Sequence, residues 1–188
     1  MSTELDQELE RELNAFGDAH IIEARREVAA HNRRAGAYSI RLSLMLAIGS
    51  RESDLLNVVG DRGHGRGWLQ IDDRFHPAFL RENHGCRSGS WRPDPTRRAI
   101  EPGYCPSLPA SIRYAMQLLD GNARYLAQHG FIDPLRAAVS AYNCGAGNVR
   151  RGWRERRDID AYTTGGNYGR DVYRRADFFH RWGQQHNI

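Results

Sequence analysis

Leu5, Leu9, Leu13 and Phe16 recur at steps of four, four and three, the spacing that stacks apolar side chains on one face of an α-helix. Ile21, Ile22, Ala24, Val28 and Ala29 continue a mixed amphipathic pattern, and Gly17 and Gly36 punctuate the two segments. From Ile40 to Ile48 the chain is apolar nearly all round, which predicts a buried helix. The pattern then changes. Gly60, Gly63, Gly65 and Gly67 fall between Val58-Val59 and Trp68-Leu69-Gln70-Ile71, and short apolar runs broken by such glycines predict small strands and tight turns. Prolines 77, 93, 95, 102, 106 and 109 predict a long irregular excursion over 77–110. Helical spacing returns with Ile112, Ala115, Met116, Leu119, Ala123 and Leu126. Asp133-Pro134 supplies an N-cap and a first-turn proline for a helix carrying Leu135, Ala138, Val139 and Tyr142 on one face. Val172, Ala176 and Phe179 mark a last helix. The expected fold is mostly α, of the α+β class. It is a helical single domain over 1–188 with N-terminal helices in 1–40, a small β-hairpin excursion lining a cleft, and an irregular insertion over 77–110.

A chain of 188 residues can bury one sizeable core, and 40% hydrophobic with 27% charged residues is an ordinary globular composition. The longest apolar stretch, Leu42 to Ile48, is too short to span a bilayer, so no membrane insertion is expected. The first residues, Met-Ser-Thr-Glu-Leu-Asp, lack the basic-then-apolar order of a secretory signal, which predicts export by another route or release by lysis. A net charge of +4 and a pI near 9.2 favour anionic partners. All 27 basic residues are arginine. Their densest run holds Arg150, Arg151, Arg154, Arg156 and Arg157 around Trp153, and a solvated helix face is favoured there over a nucleic-acid patch. Three cysteines cannot all pair within one chain. Cys86 and Cys105 enclose 18 residues, a plausible loop to staple, while Cys144 suits a small buried apolar role. Neither CxxC nor HExxH spacing occurs, so no metal and no cofactor is expected.

Three segments carry recognisable chemistry. They are Ala47-Ile48-Gly49-Ser50-Arg51-Glu52-Ser53, then Gly60-Asp61-Arg62-Gly63-His64-Gly65-Arg66-Gly67-Trp68-Leu69-Gln70-Ile71-Asp72, then Ala141-Tyr142-Asn143-Cys144-Gly145-Ala146-Gly147-Asn148-Val149. Each is weak alone; all three in this order resemble goose-type lysozymes and, more distantly, the soluble lytic transglycosylases. Tyr168-Gly169-Arg170-Asp171-Val172 resembles the closing helix of that family. The resemblance runs from about Ser43 to Trp182, interrupted by the proline-rich stretch. It implies a lysozyme-like fold and cleavage of peptidoglycan glycan strands by a monomer, with no nucleic-acid partner. The anionic wall of a bacterium would also suit the basic charge.

Glycosidic cleavage needs an acid that keeps its proton near neutrality, whereas an ordinary glutamate, with a pKa near ~4.3, is ionised there. Glu52 follows the apolar helix, so a poorly solvated cleft floor and the negative end of that helix would both hold its proton. An inverting glycosidase also needs a carboxylate across the cleft with space for a water, roughly 6.5–9.5 Å from the acid. Asp61 and Asp72, flanking the glycine-rich excursion, match the aspartates to which the family resemblance assigns water positioning. Asp61 beside Gly60 also suits a plain turn, and Asp73 is expected to be solvated. The glycines should allow the backbone to approach a bulky sugar. By the same resemblance Gln70, His76, Tyr142, Asn143 and Tyr168 line the saccharide cleft or hold the acid. Tyr142, in register with Leu135 and Val139, equally suits plain core, and the expected compromise buries its ring while its hydroxyl reaches Glu52. His64, His84 and His129 read as surface or loop residues.

Residues 77–110 are longer than the matching stretch of the family, which leaves a cleft wall, a partner-binding loop or a neutral insertion open. Three rival readings follow. A lytic transglycosylase would close a 1,6-anhydro ring without a water-activating carboxylate. A wall-binding module would keep the fold without catalysis. A basic nucleic-acid binder would lose affinity steeply with salt.

Overall fold

The computed structural model describes residues 3–34, 36–83 and 105–187. Helix α1 (Glu4–Phe16) starts at a capping box in which Thr3 Oγ1 accepts from the Asp6 backbone and the Asp6 carboxylate accepts from the Thr3 backbone. Its predicted stripe of Leu9, Leu13 and Phe16 is buried. After Gly17, α2 (Asp18–Asn32) buries Ile21, Ala24 and Val28. Asn32 then clamps the incoming strand of chain from both sides. Its amide donates to the Ile40 carbonyl at 2.8 Å, and its carbonyl accepts from the Ile40 N–H at 3.0 Å. That clamp fixes the entry into α3 (Leu42–Ser53), in which every residue from Ser43 to Ser50 is buried.

The glycine-rich stretch forms a three-stranded antiparallel sheet of β1 (Val59–Gly60), β2 (Gly65–Arg66) and β3 (Ile71–Asp72), in the order β1-β2-β3. Gly60 faces Gly65, and Gly65 faces Asp72. A Cβ on Gly65 would lie 2.3 Å from Gln70 Oε1, so the space this glycine leaves is filled by the chain's own amide rather than by a sugar. Ser53 Oγ ties the sheet to α3 by donating to the Trp68 carbonyl at 2.7 Å.

The excursion predicted as irregular over 77–110 is helical at both ends. Pro77–Asn83 forms α4, because a proline costs nothing in a first turn where its N–H would be unpaired anyway. Leu108 opens α5 (Leu108–Gln128), with Ser107 as N-cap and Pro109 in the first turn. Residues 84–104 lie outside the described residues, and with them Cys86, the proposed partner of Cys105. Helix α6 (Pro134–Cys144) starts at the predicted Asp133 cap, whose carboxylate accepts from Arg136 N at 3.1 Å. Gly145, at φ 81°, turns the chain directly into α7 (Ala146–Arg156), a helix that apolar spacing did not mark because it buries only Val149 and Gly152. Helix α8 (Tyr168–Gln185) closes the fold against α3. One apolar cluster joins α1, α2, α3, α5, α6 and α8 with Trp68 and Leu69. The architecture is mostly α with a small antiparallel sheet, the class that the sequence predicts. No helix of the described residues is long and apolar enough to cross a membrane.

The start of α8 is held from outside the helix. Asn167, its N-cap, offers no side-chain bond. The carboxylate of Asp160, 0% exposed, takes that role instead. It accepts from Gly169 N at 2.8 Å and Arg170 N at 3.0 Å, the helix end where a negative charge is favoured. It also accepts from Ser140 Oγ of α6 at 2.8 Å. Removing a buried charged acceptor strands all three donors, so Asp160→Ala is expected to destabilise the fold by about 2–4 kcal/mol, with Asp160→Asn intermediate. Urea unfolding monitored by circular dichroism checks this.

Candidate active site

Glu52 lies in the last turn of α3, half-buried at the floor of a cleft of about 830 Å³. Crowding by the protein disfavours its charged form and pushes its pKa up to about 7. Two weaker effects oppose this. Tyr168 donates a hydrogen bond to Glu52 Oε1 at 2.5 Å, and the Arg51 guanidinium lies nearby. Tyr168 is itself buried, at the first turn of α8, so the donor is fixed by the same Asp160 that caps the helix. From the sequence this contact is expected of Tyr142. The Tyr142 hydroxyl instead donates to the Leu69 carbonyl at 2.8 Å and so braces the β excursion against α6. It is the start of α8, not the end of α6, that reaches the acid.

Asp61 and Asp72 lie on the excursion in the same cleft. Arg74 bridges them: its guanidinium bonds the Asp61 carboxylate and both oxygens of Asp72, at 3.0 Å and 2.5 Å for the nearest pairs with Asp72. Hydrogen bonds from Arg74 hold the Asp72 carboxyl below the usual carboxylate range, against the opposing effect of burial. Asp61 adopts φ 44°, a left-handed turn conformation that aspartate tolerates better than most residues. The turn role and the cleft position thus coincide in one residue.

Asp73 is not simply solvated, and His64 is not an idle loop residue. Asp73 accepts from His64 Nδ1 at 2.7 Å and from the buried Arg66 at 2.6 Å. Burial would raise the Asp73 pKa, but these two partners outweigh it and lower the value. Ligand atoms of His64, Asp72 and Asp73 lie within 4.8 Å of one another, yet both carboxylates already face guanidinium groups of Arg66 and Arg74. That pairing leaves little negative charge for a cation.

The remaining residues named from the sequence line the same cleft. Gln70, at φ 44°, donates its amide to the carbonyls of Val58 at 2.9 Å and Gly67 at 2.7 Å, which secures the hairpin. His76 bonds the Tyr114 hydroxyl at 3.0 Å, and burial lowers its pKa, favouring the neutral ring. Asn143 accepts from Thr164 N at 2.8 Å across the cleft floor. Cys144, half-buried rather than buried, has its thiol pushed up to about 11 by burial, which removes any thiolate character at neutral pH. Sequence reasoning missed Arg74 and Asp160. Arg74 had a signal in its place two residues after Asp72, whereas nothing local distinguished Asp160 from its neighbour Asp158.

The chain is 30% identical over 151 residues to lysozyme g of Gallus gallus, an alignment covering 78% of this chain and 60% of that protein. The similarity supports a lysozyme-like relationship. The chain therefore spans under two thirds of the length of the curated relative it matches. No protein-family model matches the chain.

Tyr168 stabilises the ionised form of Glu52, so Tyr168→Phe should raise the Glu52 pKa further above its value of about 7. Carboxyl-detected NMR titration of Glu52 measures this directly, and an unchanged or lower midpoint would contradict the electrostatic role given to the phenol.

Proposed function

We propose that this chain is a peptidoglycan hydrolase, a muramidase that cleaves the β-1,4 bond between N-acetylmuramic acid and N-acetylglucosamine in the bacterial wall. The observation that carries the proposal is the opposite tuning of carboxyls in one cleft. Glu52 holds its proton up to about pH 7, while Asp72 is held ionised by Arg74. Such separation is what acid/base division of labour requires. In this reading Glu52 protonates the departing glycosidic oxygen, and Tyr168 steadies the carboxylate that remains. Asp72 and Asp61 accept hydrogen bonds from a water on the opposite face of the sugar, giving inversion. Gln70, His76, Tyr142 and Asn143 form the walls against which the sugar rings rest, supported by the half-buried amide, imidazole and phenol groups found there.

A second reading has an observation of its own. Arg74 binds both aspartates, which weakens them as bases. A lytic transglycosylase needs no such base, because the muramic 6-hydroxyl attacks in place of water.

Mass spectrometry of digested peptidoglycan separates the two. Hydrolysis leaves reducing muramic ends, and transglycosylation leaves 1,6-anhydro ends. Glu52→Gln should lower kcat by about a thousandfold while glycan binding persists. Retained turnover would remove Glu52 from the chemistry.

Arg74→Met tests the aspartates. Without the guanidinium the Asp72 pKa rises toward its ordinary value. Since the ionised form is the active one, the acidic limb of the pH–rate profile should shift to higher pH, with the Glu52-controlled alkaline limb near pH 7 unmoved.

A further inference from the structure

The charge of this protein is not spread evenly. Residues 146–157 contain five arginines and one glutamate, a surplus equal to the net +4 of the whole chain, and the rest holds 22 residues of each sign. The acids that follow do not offset it locally. Asp158 pairs with Arg170 at 3.0 Å, and Asp160 is buried as the cap of α8. Arg151, Arg154, Arg156 and Arg157 are exposed, and among the described residues no ion pair involves them or Arg150.

Four of the five arginines, all but Arg154, lie against aromatic rings. The Arg151 guanidinium lies 3.9 Å from the centre of the Tyr162 ring, and that of Arg156 lies 5.3 Å from the same ring. Arg157 lies 5.9 Å from the Trp153 ring, and Arg150 donates to the Tyr125 hydroxyl at 2.6 Å. Stacking holds a guanidinium without neutralising it and leaves its N–H fork for an oxyanion. Tyr162 and Asn148 also line the catalytic cleft, so the basic face begins where the cleft wall ends.

We infer that the arginine cluster at the exposed end of α7 is an accessory site for a polyol-phosphate polymer of the bacterial wall, gripped by Arg151, Arg154, Arg156 and Arg157 beside a glycan strand lying in the cleft. This rests on the hydrolase reading for its choice of polymer. One feature favours such a chain over nucleic acid: the patch is continuous with a saccharide-sized cleft. Regularly spaced phosphodiesters suit bidentate guanidinium groups in either polymer.

The test uses soluble poly(glycerol phosphate) and the full chain. Isothermal titration calorimetry should show salt-sensitive binding, and the triple variant Arg154→Gln, Arg156→Gln, Arg157→Gln should bind roughly tenfold or more weakly with a flatter salt dependence. Glu52→Gln should bind as the parent does. On walls carrying the polymer the triple variant should turn over more slowly than the parent, and on walls stripped of phosphate the two should match. Undiminished polymer binding by the triple variant overturns the inference. Duplex DNA bound more tightly than the polymer at matched phosphate concentration overturns it in favour of a nucleic-acid surface. Lost turnover on stripped walls overturns it in favour of a structural role for α7. If no variant cleaves any wall while the triple variant still loses the polymer, the hydrolase reading falls and the phosphate site stands.

Discussion

The buried carboxylate of Asp160 is the constraint on which the site depends. Three separate stretches must meet at Glu52: the end of α3, the β excursion and the start of α8. Only the last of these supplies the hydrogen bond to the acid, and a helix start is the part of a helix most prone to fray. Asp160 removes that freedom by accepting two N–H groups of the first turn of α8 and the Ser140 hydroxyl of α6 together. Thr163 adds to it, donating to the Asp160 carbonyl at 2.9 Å and accepting from Tyr168 N at 3.2 Å. A buried charge is tolerated only when its lone pairs are met, and here three donors and the positive end of a helix meet them. The phenol of Tyr168 is therefore placed by a loop residue that never touches the cleft.

The carboxyls of the cleft are kept unlike. Burial dominates at Glu52 and Arg74 dominates at Asp72, so the two are shifted in opposite directions. The sheet is small, two residues per strand, with Asp72 on β3 and Asp61 in the turn that follows β1. Its rigidity comes from side chains that reach back to backbone, Gln70 to Val58 and Gly67, Ser53 to Trp68, and Tyr142 to Leu69. These bonds supply the order that such short ladders cannot.

Much of this was legible in the sequence where one local rule dominated. The stripe from Leu5 to Phe16 became α1 by its spacing, the all-round apolar run before Gly49 became α3 by its burial, and the Asp133-Pro134 start became α6 by its cap. All eight residues named for the site line one cleft, since order along the chain carried their grouping. What failed was pairing across the fold. Tyr142 and Tyr168 are both phenols near the acid, and which one donates depends on helix placement that no spacing encodes. Helix α7 was legible as a solvated arginine face over Arg150–Arg157, although its apolar stripe, Val149 and Gly152, was too narrow to mark where it starts. Helix α4 was hidden by the prolines around it, one of which opens it.

The least obvious feature is why Arg51, adjacent to Glu52, does not simply ionise it. A guanidinium at that position would be the natural partner of a neighbouring carboxylate and would hold its pKa low. Instead Arg51 Nε pairs with Asp171 at 3.1 Å. Asp171 is shared with Arg175 at 3.0 Å, and Arg175 also donates to Ser50 Oγ at 2.7 Å. Behind it lies Glu12, buried under α3, whose own pKa burial raises to about 7. The charges alternate from Arg51 to Glu12, so each arginine is answered by a carboxylate other than Glu52. Field from Arg51 still reaches Glu52, but as a weaker effect than burial. Helix α8 thus acts on the acid twice in its first turn. Asp171 draws the cation away, and Tyr168 returns one neutral hydrogen bond in its place, which leaves the carboxyl steadied yet able to keep a proton.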